Sequence, residues 1–137
     1  MITATRGEAV VNASNVADAV AKVLHSGDRL PTPTGRGVFE IGEITDGEII
    51  LLLGERRTRT RVPWSVLDHA LSDMSGNGWM LIGAIHTSES PQRSLEAILK
   101  PALHRSTANY VAVLLERAGL VEIDRARPAW LRVAPTL

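Results

Sequence analysis

The stretch that decides the fold is Ser90–Val133, SPQRSLEAILKPALHRSTANYVAVLLERAGLVEIDRARPAWLRV. Ser90 followed by Pro91 favours a helix start, because serine caps a first turn and proline suits the first helical position. Apolar residues then recur with the helical period, which predicts a first helix. Its expected apolar face is Leu95, Ile98, Leu99, Ala102 and Leu103. Pro101 lacks the amide hydrogen of a helical hydrogen bond, so we expect a kink there or a helix end near Lys100.

A second helix and a hairpin follow in the same stretch. His104 and Arg105 form the predicted turn, and Ser106 is expected to cap a helix that runs to about Ala118. Gly119 is expected to end this helix in the left-handed conformation. The remaining residues predict a strand (Leu120–Asp124), a basic tip (Arg125–Pro128) and a return strand (Ala129–Val133).

The run LLERAGLVEIDRARPAWLRV resembles the end of the recognition helix and the wing of winged helix-turn-helix DNA-binding domains. The resemblance extends over residues 91–134, about a third of the chain, and it concerns packing and turns rather than a catalytic signature. It implies a recognition helix at Ser106–Ala118 that enters the major groove of duplex DNA.

The resemblance also implies roles for individual residues. Thr107, Ala108 and Asn109 would face the groove, and Asn109 has the side chain for a bidentate contact to adenine. Arg125 and Arg127 would reach phosphates or the minor groove from the wing, and Arg105 would lie beside the DNA backbone.

The outward face of this helix also supports a second interpretation. It consists of Asn109, Ala112 and Glu116, with Arg117 near the far end, whereas recognition helices usually carry several long polar side chains. A winged helix that binds a partner protein, or that forms a homodimer, would have such a face.

The first part of the chain predicts a helix and a loop. The helix is expected to extend to about His25, and its buried stripe is Val16, Val20, Val23 and Leu24. Leu30–Gly37 contains two prolines and two glycines and predicts a loop. Its Gly-Arg-Gly triplet is either a place where backbone amides approach a phosphate or, as we favour, a flexible turn before a strand.

A three-stranded antiparallel meander is predicted next. Asp46-Gly47 is a preferred type I′ turn between strands Val38–Thr45 and Glu48–Leu53. This turn would place Ile44 opposite Ile49, and Ile41 opposite Leu52. Both faces of the second strand are apolar, so we expect the hairpin to be covered on both sides.

The third strand of the meander, Glu55–Val62, carries three arginines at alternate positions. Arg57, Arg59 and Arg61, here called the arginine row, would share one face of the strand and would suit phosphate contacts. The alternative, slightly favoured for this stretch alone, is a solvated edge strand whose charges prevent aggregation.

A helix and a buried strand complete the prediction. Pro63 suits the start of a helix whose stripe is Trp64, Leu67, Leu71 and Met74, and Trp79–Ile85 predicts a buried strand. The expected fold is α+β, with an N-terminal helix and a three-stranded antiparallel meander packed on a C-terminal winged helix. Residues 1–90 would form the platform and residues 91–137 the winged helix-turn-helix unit, together in one compact domain.

Composition limits the functional classes. Fifteen basic residues, thirteen of them arginine, balance fifteen acidic ones, so DNA binding would need a local basic surface. No cysteine is present, and the longest apolar run, Ile49–Leu53, is too short to cross a membrane. We therefore expect a cytoplasmic protein without a membrane partner.

The sequence nominates no catalytic residue, no cofactor and no metal site, because the histidines and serines have no known catalytic or metal-ligand spacing. His86 and Glu89 alone are too few ligands for a metal. The expected function is non-catalytic binding of duplex DNA, as a regulator or as the targeting part of a DNA-acting assembly such as a restriction system. The alternative is a protein-interaction adaptor or dimerisation module.

Overall fold

A computed structural model describes residues 15–83, 93–104, 106–126 and 128–135. Over these residues the protein is α+β, as predicted, with four helices and two antiparallel sheets. The helices are α1 (Asn15–Val23), α2 (Trp64–Met74), α3 (Leu95–Leu103) and α4 (Ala108–Arg117). The strands are β1 (Arg29–Pro31), β2 (Val38–Ile44), β3 (Glu48–Leu53), β4 (Thr58–Pro63), β5 (Met80–Leu81), β6 (Val121–Asp124) and β7 (Trp130–Val133).

The first sheet has four strands in the order β1-β2-β3-β4, one more than predicted. The additional strand β1 begins where the sequence predicted only a loop. Leu30 is buried and pairs with Phe39, which fixes β1 to the sheet. Pro31 is tolerated because β1 is an edge strand, where one missing amide costs little.

The hairpin between β2 and β3 follows the prediction only near its turn. Ile44 pairs with Ile49, as expected, but Ile41 pairs with Leu51 rather than Leu52. The register shifts because Gly42 forms a bulge between the two pairs. A side chain there would be crowded, since an added Cβ would lie 3.1 Å from a backbone oxygen of β3.

The predicted type I′ turn of this hairpin is wrong. That turn needs positive φ at both central residues, and neither Asp46 nor Gly47 has one. Thr45 closes the turn instead: its hydroxyl donates to the carbonyl of Glu48 at 2.9 Å and accepts from the amide of Glu48 at 3.2 Å.

The helix after the first sheet agrees with the prediction, whereas the strand that follows is shorter. Trp64, Leu67 and Met74 of α2 are buried. In the expected strand from Trp79, only Met80–Leu81 pairs within the described residues. Trp79 is 42% exposed, and the guanidinium of Arg132 lies 4.7 Å from its ring centroid.

The start of α3 differs from the prediction, and its far end excludes only one of the two expected outcomes, an end near Lys100. The helix begins at Leu95 rather than Pro91, and Ser94 caps it by accepting a hydrogen bond from Ala97 at 3.0 Å. Ser90 and Pro91 lie outside the described residues. The helix also continues through Pro101 to Leu103, because a proline removes one hydrogen bond without preventing the next turn.

The start of α4 also differs. Thr107 occupies the cap position that was predicted for Ser106. The hydroxyl of Ser106 instead donates to the carboxylate of Glu96 in α3, at 2.6 Å. At the other end Gly119 has a φ of 79°, which confirms the predicted left-handed residue.

The second sheet has the strand order β5-β7-β6 and is antiparallel. β6 and β7 form the expected hairpin, in which Val121 pairs with Val133 and Asp124 with Trp130. Met80 pairs with Leu131, so β5 joins the sheet on the other side of β7. The residues from α2 to β7 therefore run helix, strand, helix, helix, strand, strand, and the last strand is central in the sheet.

One hydrophobic core joins the two sheets and the four helices, from Val16 to Leu131. Helix α1 packs against α2 and α4. The amide of Val16 donates to Asp68 at 3.2 Å, which links α1 to α2. Val23 was expected in the buried stripe of α1 but is 48% exposed. None of the described helices combines the length and the apolar character that a membrane crossing requires.

Candidate nucleic-acid interface

The first turn of α4 presents only one of the three residues expected to face DNA. Thr107 and Ala108 are buried, so the prediction that they face outward is wrong. Asn109 is exposed. Of the three, only Asn109 can therefore contact a base without rearrangement of the chain.

Helix α4 is enclosed on two opposite sides. Val111 and Val113 are two residues apart and therefore point about 200° apart around the helix axis. Both are buried, and Val113 is only 1% exposed. Helix α1 packs against α4, and the ring of Tyr110 contacts Phe39 of β2 edge-to-face at 5.3 Å. The remaining exposure of α4 is a narrow strip that includes Asn109 and Arg117.

Sequence reasoning missed this enclosure because Ala112 and Val113 lie on the polar side of the predicted stripe. Two small apolar residues at these positions can be either exposed to solvent or packed against a second part of the protein. Ala112 is buried, which contradicts its expected place on the outward face. Part of the contact surface, from α1 and Phe39, precedes α4 by about 70 positions or more, and helical periodicity carries no information about such distant contacts.

The arginine row is neutralised by three glutamates of the same sheet. Each guanidinium lies within ion-pair distance of one carboxylate. The pairs are Arg57–Glu40 at 3.0 Å, Arg59–Glu43 at 3.3 Å and Arg61–Glu48 at 2.8 Å. The hydrogen bonds and the charge of Glu48 raise the pKa of Arg61 above its ordinary value.

The ion pairs also cover the outer face of β3. Ile50 is 1% exposed although it points away from the core, and its cross-strand neighbours are Glu43 and Arg61. Long charged side chains can bury an apolar residue under their aliphatic stems. We expected the hairpin to be covered on both sides. On its outer side, the cover consists of charged side chains of the same sheet.

Arg57 differs from its predicted position. It precedes β4 and adopts a φ of 53°, although its side chain still reaches Glu40 on β2. A phosphate that approached the arginine row would meet one carboxylate for each guanidinium. The row therefore fits a solvated edge strand better than a phosphate clamp.

The described arginine of the predicted wing is also paired. Arg125 donates two hydrogen bonds to Glu116 of α4, at 2.7 and 2.6 Å. The hydrogen bonds that Arg125 donates to this carboxylate raise the pKa of Arg125. Such a bidentate contact holds the end of β6 against the end of α4. Arg105 and Arg127 lie outside the described residues.

A cleft at one end of the four-stranded sheet brings together charged residues that were not predicted as a group. We call it the sheet-end cleft, and its lining includes Arg29, Arg36, Glu55 and Tyr110. Among the described residues, no carboxylate lies within 4 Å of the guanidinium of Arg29 or Arg36. The only sequence signal was the Gly-Arg-Gly triplet around Arg36.

No described group of residues has the composition of a metal site, since three or more histidine, aspartate or glutamate side chains do not converge in that part of the chain. Asp68, which neighbours His69, accepts the amide of Val16 and so has a structural contact. His86 and Glu89 lie outside the described residues. No family model, no curated protein and no solved structure matches this chain.

Proposed function

We propose that this chain is a non-catalytic module that binds duplex DNA and is built on a winged helix. The observation that carries the proposal is the order of α2, β5, α3, α4, β6 and β7, with β7 central in its sheet. Helix, strand, two helices and a hairpin that returns to the first strand are the parts of a winged helix. In this proposal the unit begins at α2, and Arg125–Pro128 is the tip of its wing.

Binding would depend on phosphates more than on bases. The burial of Thr107, Ala108 and Val113 restricts base contacts from α4 to Asn109. Phosphate contacts position a protein on the duplex without reading its sequence. We therefore propose DNA binding with low sequence preference, which suits the targeting part of a DNA-acting assembly better than a site-specific regulator. Arg105 and Arg127 remain proposed phosphate contacts, and a cytoplasmic location remains part of the proposal.

The test is fluorescence anisotropy with labelled duplexes of two unrelated sequences, titrated at several salt concentrations. We expect binding to both duplexes, with a log–log salt slope of about −0.9 for each phosphate contacted. Joint replacement Arg125→Ala and Arg127→Ala should weaken both duplexes equally, whereas Asn109→Ala should reduce any difference between them. Absence of binding at low salt would contradict the proposal.

A protein-interaction adaptor is the second candidate. It is favoured by the ion pairs of the arginine row and of Arg125, since these leave neither surface with an excess of positive charge. The zero net charge of the chain also supports it. The adaptor interpretation predicts no DNA binding at any salt concentration, so the same titration separates the two candidates.

A further inference from the structure

The sheet-end cleft lies where the first sheet meets the first turn of α4. Arg29 comes from β1, Arg36 from the loop between β1 and β2, and Tyr110 from α4. Tyr110 of the cleft follows directly in sequence on Asn109, an exposed residue in the first turn of α4. It has a volume of about 270 Å³.

The charge in the cleft is positive. Arg29 and Arg36 are exposed and have no carboxylate within ion-pair distance among the described residues. Among the described residues that line the cleft, Glu55 is the only acidic one. Arg57 and Glu40 belong to the adjoining part of the groove, but they form an ion pair and so add no net charge.

The loop that carries Arg36 is held by internal hydrogen bonds. Thr32 accepts from the amide of Gly37 at 3.1 Å through its hydroxyl and from Gly35 at 2.9 Å through its carbonyl. The amide of Arg36 donates to Thr34. These amides are used within the loop, so an anion would be recognised by the arginine side chains rather than by the backbone of the Gly-Arg-Gly triplet.

We propose that the sheet-end cleft is a phosphate-binding site, with Arg29 and Arg36 as its cationic contacts. Guanidinium groups form charge-assisted, often bidentate, hydrogen bonds to phosphate oxygens. The cleft volume of about 270 Å³ is ample for a phosphate group. The assignment of this phosphate to DNA rests on the proposed function. The existence of the phosphate site does not depend on that function.

The first arm of the test uses inorganic pyrophosphate and needs no DNA. Protein NMR at low ionic strength should show saturable shifts of the Gly37 amide and the Tyr110 ring in the full chain. Arg29→Gln combined with Arg36→Gln should raise the Kd at least about tenfold, because it removes both cationic contacts of the phosphate. Glu55→Gln should lower the Kd, since it removes a repulsive charge from the lining.

The matched control is Arg59→Gln, which removes an arginine of the same sheet that already has a carboxylate partner. It should leave pyrophosphate binding unchanged. Three results would overturn the site: no saturable shift in the unmodified chain, equal binding by the double variant, or an equal loss in the Arg59 control.

The second arm identifies the source of the phosphate. If it belongs to DNA, the double variant should make the salt slope for duplex binding shallower by about 1.8, corresponding to two lost contacts. An unchanged slope together with lost pyrophosphate binding would uphold the site and assign it to a free phosphate compound. Absence of duplex binding with intact pyrophosphate binding would contradict the proposed function and leave the phosphate site standing.

Discussion

Trp64 and Trp79 differ in burial, and we expect them to differ in their contribution to stability. Trp64 is buried at the start of α2, and its indole N–H donates to the carbonyl of Thr45 at 2.7 Å. This bond joins the helix to the β2–β3 turn. Trp79 is exposed and contacts Arg132 through its ring face.

We therefore predict that Trp64→Phe lowers the free energy of unfolding by about 2–3 kcal/mol, through a lost hydrogen bond and reduced burial. Trp79→Phe, the matched control, should change it by less than about 1 kcal/mol, the worth of an exposed cation–π contact. Urea unfolding followed by circular dichroism measures both. A loss at Trp79 as large as that at Trp64 would contradict the burial of only one ring.

Gly42 shows where a single residue determines strand register. An added Cβ would lie 3.1 Å from the carbonyl oxygen of Ile50, whereas nothing lies within 4 Å at Gly47. We predict that Gly42→Ala destabilises the protein by about 1–3 kcal/mol through overpacking. Gly47→Ala should stay within about 0.5 kcal/mol. Equal midpoints in urea for the two variants would show that the bulge tolerates a side chain.

The bulge also explains an error of prediction at this scale. Counting from the two-residue turn correctly placed Ile44 opposite Ile49, because no irregularity intervenes between that pair and the turn. Beyond Gly42 the same reasoning failed by one residue. A glycine within a strand indicates that a bulge is possible, but the contact that requires it lies on the neighbouring strand.

At the scale of elements, α4 is the helix whose surroundings matter most for function. Replacing an exposed helical valine by alanine slightly stabilises a protein, because alanine is the better helix former. Replacing a buried valine by alanine lowers the free energy of unfolding by about 2 kcal/mol, through reduced burial and the cavity that remains. The sign of the change therefore reports whether the side chain is enclosed.

We predict that Val113→Ala destabilises the protein by about 2 kcal/mol, whereas Val23→Ala in α1, at an exposed position, changes stability by at most about 0.5 kcal/mol. Denaturant unfolding of both variants provides the comparison. A stabilised Val113→Ala variant would mean that the outward face of α4 is open to DNA.

The caps of α3 and α4 make a second prediction about elements. Ser94 accepts a hydrogen bond from Ala97, so Ser94→Ala should cost about 1 kcal/mol. The hydroxyl of Thr107 is buried and has no hydrogen-bond partner among the described residues. Thr107→Val, which keeps the shape, should thus be neutral or stabilising. Thermal unfolding measures both, and a marked loss of stability with Thr107→Val would reveal a partner for this hydroxyl.

The elements themselves were largely predictable, and their ends were not. Apolar periodicity identified α1, α2, α3 and α4 because each has a side that faces the core. Ser90 and Ser106 are good capping residues by type, yet Ser94 and Thr107 take the cap positions. At the start of α4, the carboxylate of Glu96 engages the hydroxyl of Ser106 across the turn, and this contact is tertiary.

At the scale of the whole molecule, the arginines differ in whether a carboxylate lies beside them. Arg57, Arg59 and Arg61 were predicted from their spacing, but spacing does not reveal the glutamates that β2 and β3 bring beside them. Arg29 and Arg36 are distant from α4 in sequence, and only the shared core brings them near Tyr110. The composition of the site therefore follows from topology more than from any local motif.

The most direct test of this account is an NMR footprint of a short DNA duplex on the isotope-labelled chain at low salt. We predict that amide shifts concentrate at Arg36, Gly37, Asn109 and the wing-tip residues Arg125 and Arg127, and that Thr58–Val62 in β4 remains unchanged. Shifts confined to Thr58–Val62 would instead assign binding to the arginine row. The absence of any shift would contradict DNA binding altogether.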